Sequence, residues 1–278
     1  MGDVMGQATS VLFEVNAGIA TLTLNEPDRL NPISTAVQLG CLAGLQKVRE
    51  DTSIRALILT ARGKAFCVGA DLTQVAQWAQ TPKDGNSPSL GQQVGDMMAK
   101  AGNPIVEGLG KLPVPVVCAI NGPAVGGGFG LALAGDIVIA ARSAYFYLPF
   151  VPALGLVPDM GASWRLPRAL GPARAMGLAL LGERISGEQA ADWGLIWACT
   201  DDDQLASEAL KIAQRLAALP AHSALETRAL FRAAQGNTLA QQLAYEKDRQ
   251  TELIDGDSFA EGLAAFTNKR RAIFKPRS

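Results

Sequence analysis

Two apolar, β-branched runs at residues 11–15 and 19–24 flank Asn16-Ala17-Gly18 and predict a β-hairpin. Asn25-Glu26-Pro27-Asp28 then breaks the pattern. Over residues 33–48 the apolar positions Val37, Leu39, Leu42, Leu45 and Val48 recur at helical spacing. Residues 55–60 (RALILT), 114–120 and 137–141 are continuous apolar runs, as expected of strands covered on both faces. Residues 71–80 predict a helix, and residues 81–90, with two prolines, a mobile loop. Beyond Gly155 the pattern turns helical, at 172–181, 203–218, 223–234, 239–252 and 259–271. Ser186-Gly-Glu-Gln189 predicts a capping box for one more helix, which Gly194 ends. The chain therefore divides into an α/β core over residues 1–200 and a helical C-terminal region over residues 201–278.

Composition narrows the chemistry. Among 278 residues, 25 basic and 26 acidic side chains leave a net charge of −1, no footprint for nucleic acid or an anionic membrane. The four cysteines, Cys41, Cys67, Cys118 and Cys199, form no C-x-x-C pair and fit a reducing cytoplasm. The single histidine, His222, excludes His-rich metal sites, and no metal is expected. The longest low-charge stretch, residues 112–141, is interrupted by Pro113, Pro115, Pro123 and five glycines between Gly122 and Gly130, so it reads as buried structure rather than a membrane helix. Residues 1–10 carry no basic-then-apolar leader pattern, and the expectation is a soluble cytoplasmic protein.

Two glycine-bearing segments each follow a buried strand and open a helix. Asn121-Gly-Pro-Ala-Val-Gly-Gly-Gly-Phe-Gly130 lacks the lysine of a phosphate loop and the G-x-G-x-x-G of a dinucleotide fingerprint. Its glycines serve either close helix–sheet packing or backbone N–H groups aimed at a ligand. Gly63-Lys-Ala-Phe-Cys-Val-Gly-Ala-Asp-Leu72 has the same form, and its Asp71 is also a ready N-cap. Two such loops can present one N–H apiece to a single carbonyl oxygen.

KAFCVGADL (residues 64–72) and AINGPAVGGGFGLALAGDIVIA (residues 119–140) resemble the two signature segments of the crotonase family, the enoyl-CoA hydratase/isomerase superfamily. The likeness continues through LNEPDRLNP, GLVPDMGASWRLPRALG, ERISGEQAADWGL and EGLAAFTNKR. It implies a spiral of β-β-α units with a helical C-terminal trimerisation region, assembled as a homotrimer or a hexamer. The implied substrate is an acyl thioester of coenzyme A, with no other cofactor. The thioester oxygen is expected between the N–H groups of Ala70 and Gly127. Arg29, Leu30, Val68, Asp71 and Leu72 are expected along the coenzyme A, and Phe266 and Lys269, three apart on the last helix, over its adenine end. The family's RNA-binding members want a lysine-rich helix, and residues 33–50 offer only Lys47 and Arg49.

The departures are as informative. The two glutamates by which hydratases of this family activate water fall here on Gly130 and near Phe150-Val151, and none of these residues can carry a proton. The remaining acid is Asp159 in Val157-Pro-Asp-Met-Gly161, which aligns with the nucleophilic aspartate of the family's 4-chlorobenzoyl-CoA dehalogenase branch. Asp159 is equally placed to cap the helix that follows. The dehalogenase chemistry also wants a mid-chain histidine, which is lacking, while His222 lies among the C-terminal helices. Asp71 and Glu107 are weaker acid candidates. Residues 155–197 look more like the phenylacetate-pathway epoxyphenylacetyl-CoA isomerase branch, and isomerases need only one base. The expectation is proton-transfer isomerisation of an enoyl-CoA-type thioester with Asp159 as acid/base. The alternatives are hydration by a non-standard acid, and an acyl-CoA-binding protein without chemistry.

Overall fold

The computed structural model describes residues 9–81 and 87–277. The leader reading of the first residues and the middle of the 81–90 loop lie outside the described residues. Along the chain the elements are β1 (Val11–Asn16), β2 (Ile19–Leu24), α1 (Thr35–Glu50), β3 (Ala56–Ala61), α2 (Leu72–Gln80), α3 (Leu90–Met97), α4 (Asn103–Gly110) and β4 (Val116–Ile120). There follow β5 (Ala124–Val125), α5 (Gly127–Ala132), β6 (Ile137–Ala141), β7 (Tyr145–Tyr147), α6 (Ala162–Leu181), β8 (Ile185–Ser186), α7 (Gly187–Asp192) and β9 (Ala198–Thr200). Helices α8 (Leu205–Ala217), α9 (Ser223–Ala234), α10 (Leu239–Ile254) and α11 (Asp257–Thr267) complete it.

The expected hairpin forms: β1 and β2 are antiparallel, and the turn uses left-handed residues at Ala17 (φ 48°) and Gly18 (φ 76°). From β2 onward the main sheet is parallel, in the order β1-β2-β3-β4-β6-β9. Its central strand β4 is buried throughout, and β3 almost so, as their unbroken apolar runs require. Burying each large aliphatic side chain there contributes roughly 1.5–3 kcal/mol. A second, three-stranded sheet, β5-β7-β8, stands beside it. Its strands of two or three residues are too short to carry a period, and sequence pattern did not predict them.

Helix α1 begins later than the apolar spacing suggests. Ser34 caps it by accepting from the Val37 N–H, and Ile33 instead pairs with Ala70 as an isolated parallel bridge. Helix α8 packs on β3, β4 and β6, so helix-on-sheet packing extends past residue 200. Residues 98–102 join α3 to α4 through a π-helical turn. Ser89 and Gln92 form a capping box at the start of α3, inside the segment expected to be a loop. At α7 only half of the expected capping box forms, Ser186 accepting from the Gln189 N–H, and Gly194 (φ 77°) follows the helix. Helix α6 runs across a break at Gly171 (φ 76°), which Pro172 follows. Among the described residues no helix is long and apolar enough to cross a membrane.

Candidate active site

The two signature loops lie side by side. Val125 N–H donates to Cys67 O at 2.9 Å, and the N–H groups of Phe66 and Cys67 both donate to Pro123 O at 3.1 Å. Gly128 permits this contact, because a Cβ there would stand 2.2 Å from Cys67 O. Ile33 N–H donates to Gly69 O at 2.7 Å and pins the far side of the first loop. Gly69 is left-handed (φ 87°), and a Cβ on it would stand 3.1 Å from Gly127 N and 2.8 Å from Val125 O. Ala70 and Gly127 are thus drawn together across a gap that a side chain at 69 would fill. Among the described residues, neither the Ala70 N–H nor the Gly127 N–H donates to a protein acceptor. Gly127 is moreover the first residue of α5, where the unpaired N–H groups and positive dipole end favour negative charge. The arrangement leaves two neighbouring backbone donors free to meet one acceptor oxygen.

Asp159 stands over this pair. Its Oδ1 lies 3.3 Å from where a Cβ of Gly127 would be, is buried, and has no hydrogen-bond partner. Burial raises the Asp159 carboxyl from the ordinary 3.8 to about 6. The capping alternative fails: the N-cap of α6 is Gly161, with no side-chain cap bond. Asp159 reaches this position through two successive left-handed residues, Met160 (φ 49°) and Gly161 (φ 80°). Met160 is buried, and its backbone passes so close to α5 that a Cβ on Gly130 would stand 2.6 Å from Met160 O and 2.9 Å from Asp159 O. Gly130 is therefore a packing requirement, and the space a hydratase glutamate needs there is taken by the Asp159–Met160 backbone. Val151, at the other glutamate position, belongs to a π-helical turn over residues 150–154.

The other acid candidates are engaged elsewhere. Asp71 caps α2 by accepting from Gln74 N–H at 3.2 Å and pairs with Arg29 at 2.6 Å. Glu107 is exposed and pairs with Lys111 one helical turn away. Cys67, whose Sγ accepts from Gly69 N–H at 3.4 Å, is no nucleophile, since burial pushes its thiol up to about 12. His222 is the residue before α9 and makes no side-chain cap bond.

Of the residues expected along coenzyme A, Arg29 bonds both Glu26 and Asp71, which clamps the 26–31 loop against the first signature loop and raises the Arg29 pKa. Leu30 (φ 60°) accepts from Val68 N–H at 3.2 Å and is partly exposed, as is Leu72. Asn31, which sequence reading passed over, is fully buried. Its side chain donates to Arg62 O and Ala65 O and accepts from Glu26 N–H, fixing the loop's path. Phe266 is on the last helix, but Lys269 is not, which corrects the expected helical spacing of the pair. Helix α11 ends at Thr267, Lys269 is left-handed (φ 51°) beyond it, and Phe266 is 84% exposed. The chain reverses there because Lys269 N–H and Arg270 N–H fold back onto Phe266 O and Ala265 O. The structure thus gathers Ala70, Gly127, Asp159 and the 29–31 loop, while Phe266 and Lys269 are exposed at the end of the last helix.

Comparison with known proteins identifies relatives along nearly the whole chain. A family model described as enoyl-CoA hydratase/isomerase matches residues 14–277. The chain is 44% identical over 264 residues to the 1,2-epoxyphenylacetyl-CoA isomerase of Escherichia coli, covering 95% of this chain and 97% of that protein. It is 37% identical to a probable enoyl-CoA hydratase of Rhodobacter capsulatus, covering 96% and 98%. Among solved structures, a putative enoyl-CoA hydratase/isomerase from Mycobacterium abscessus superposes with a TM-score of 0.88 at 33% identity, covering 96% of this chain and all of that one.

Proposed function

The chain belongs to the enoyl-CoA hydratase/isomerase family, and from that premise we propose that it isomerises the acyl group of a coenzyme A thioester by moving a proton through an enolate. The thioester oxygen accepts hydrogen bonds from the Ala70 and Gly127 N–H groups. Asp159 takes a proton from the carbon beside the carbonyl and returns it to another carbon of the same acyl chain. No atom is gained or lost, and no water is needed. The two donors favour the enolate over the ground-state thioester because charge develops on that oxygen only as the proton leaves. The observation that carries this reading is the unpartnered Asp159 Oδ1 beside Gly127, with the Gly130 position closed to a second acid. Likeness to the E. coli isomerase supports isomerisation over hydration.

Coenzyme A enters as part of the substrate, and the reaction requires no other cofactor. Arg29, Leu30, Val68, Asp71 and Leu72 flank its path, and Phe266 and Lys269 close over the adenine end. The protein works as a homotrimer or a hexamer in the cytoplasm. Exposed apolar side chains on α9–α11, among them Phe231, Leu239, Leu243, Phe259 and Leu263, support burial of that face against other copies.

A second reading, enoyl-CoA hydration with Asp159 as a single non-standard acid, is favoured by likeness to the Rhodobacter protein and by a carboxyl held near 6. One assay panel separates the readings. The purified protein is incubated with a 2-enoyl-CoA, a 3-enoyl-CoA and an epoxyphenylacetyl-CoA, and double-bond migration, epoxide isomerisation and hydration are followed separately. Isomerisation without hydration is the expected result. Rapid hydration overturns it, and thioester binding without any turnover supports a binding protein instead.

A further inference from the structure

Away from the Ala70–Gly127–Asp159 site, Arg165 and Arg168 on α6 face a groove of about 440 Å³, which Trp164, Trp197, Asp136 and Gln235 also line. Arg168 is fixed in place. Its Nε donates to Gln235 Oε1 at 2.8 Å, one terminal nitrogen donates to Trp164 O at 2.7 Å, and the guanidinium stacks 4.2 Å from the Trp164 ring centroid. The guanidinium of Arg165, 6.0 Å from the same ring, makes no hydrogen bond or ion pair to any described residue. It is half-buried, and burial lowers its pKa.

The acid in the groove, Asp136, favours the charge on Arg165 only from a distance and forms no ion pair with either arginine. Both oxygens of Asp136 are engaged by Arg228 from α9, and Oδ2 also accepts from Val116 N–H at 2.7 Å. Arg232, which further disfavours the charge on Arg165, is itself turned to Gly110 O. Two guanidinium groups are therefore held without a directly paired carboxylate among the described residues, one of them partly withdrawn from water, an arrangement that a dianion would relieve. Beside them Trp197 is 70% exposed and offers an open indole face, whereas Trp164 is capped by Arg168.

We propose that this groove binds a phosphomonoester carried on a flat heteroaromatic ring, a ligand of the nucleoside monophosphate class. The phosphate lies between Arg165 and Arg168, and the ring stacks on Trp197. Planar guanidinium forks match phosphate oxygens, and indole faces stack on bases. The site is separate from the acyl-CoA cleft, and a ligand there reaches α6, whose first turn follows Asp159 directly.

The test titrates AMP into the full-length protein in excess coenzyme A, read by calorimetry and tryptophan fluorescence. Saturable binding that coenzyme A does not displace is expected, with adenosine and ribose 5-phosphate each binding more weakly. Arg168→Gln, an exposed change that leaves the core intact, weakens AMP roughly tenfold to a hundredfold, and so does Arg165→Gln. Trp197→Ala weakens AMP but leaves ribose 5-phosphate unchanged. Displacement of AMP by coenzyme A overturns the proposal, as does an AMP affinity unaffected by Arg168→Gln. So does a change in sedimenting mass on Arg168→Gln with no AMP binding in the parent protein, since the groove is then an interface between copies.

Discussion

Asp159 Oδ1 lies 3.3 Å from the point where a Cβ on Gly127 would sit, and no protein group hydrogen-bonds to it. A carboxylate so close to an oxyanion donor, and without its own partner, is placed to exchange a proton with whatever the donor holds. Replacing it by Asn removes the proton carrier and keeps the shape. Turnover by Asp159→Asn is expected to fall by about 10²–10⁴-fold, the range for a lost general acid or base. Thioester binding, measured by calorimetry with a non-reacting acyl-CoA, stays within about threefold, because the Ala70 and Gly127 donors are backbone groups. Unchanged turnover would remove Asp159 from the mechanism.

The same burial makes a stability prediction with a definite sign. The folded Asp159 carboxyl titrates at about 6, above its ordinary value of 3.8, so the native state holds the proton more tightly than the unfolded chain. Its contribution is therefore most favourable below the unfolded value and is lost as pH rises through about 6. Above that pH the buried charge costs up to about 3 kcal/mol. Asp159→Asn should raise the melting temperature at pH 7.5 and give little or no gain at pH 4. In the parent enzyme, kcat/KM for isomerisation should rise with pH through about 6, where the base loses its proton, and this rise should vanish in the Asn variant.

At Gly130 the sterics decide what engineering can achieve. Restoring a glutamate there looks like a route to hydration, but its Cβ meets Met160 O at 2.6 Å and Met160 Cβ at 2.7 Å. Gly130→Glu is expected to displace the Asp159–Met160 segment, lower stability by about 1–3 kcal/mol or more, and abolish isomerisation without creating hydratase activity. Gly130→Ala separates the two effects, since it adds the clash without the acid. Denaturant melts and product analysis on both variants check this, and efficient hydration by Gly130→Glu would contradict the packing argument.

What was legible beforehand follows physical lines. The hairpin was readable from two β-branched runs around a turn signal, and β3 and β6 from short, unbroken apolar runs. The meeting of the two glycine loops was readable because glycine clusters after buried strands restrict what the backbone can be doing. The short strands β5, β7 and β8 carry no period, and the π-helical turn at 98–102 has no sequence signal of its own. Asp159 was named, yet its choice between cap and catalyst hung on Met160 taking φ 49°, and a methionine gives no sign of adopting a left-handed backbone. Lys269 was placed on a helix because its spacing from Phe266 is helical, although the chain had already reversed at Asn268. Ile33 went unremarked because an apolar residue before a helix looks like part of it, whereas it holds the Gly69 carbonyl.

Gly69 gives the most direct access to the oxyanion site, because backbone donors cannot be removed by side-chain substitution. It is left-handed at φ 87°, and an added Cβ would stand 2.8 Å from Val125 O and 3.1 Å from Gly127 N. Gly69→Ala thus strains the backbone immediately before Ala70 and pushes the second loop away. Losing one oxyanion donor elsewhere costs about 10²–10³-fold in kcat, and a comparable fall is expected here, with KM changed far less. Gly155, also left-handed (φ 64°) but with nothing within 4 Å of an added Cβ, is the matched control: Gly155→Ala carries a similar backbone cost without the steric one. If both variants lose stability by about 1 kcal/mol and only Gly69→Ala loses turnover, the loss belongs to the geometry between Ala70 and Gly127. Equal turnover in the two would show that this geometry does not govern the reaction.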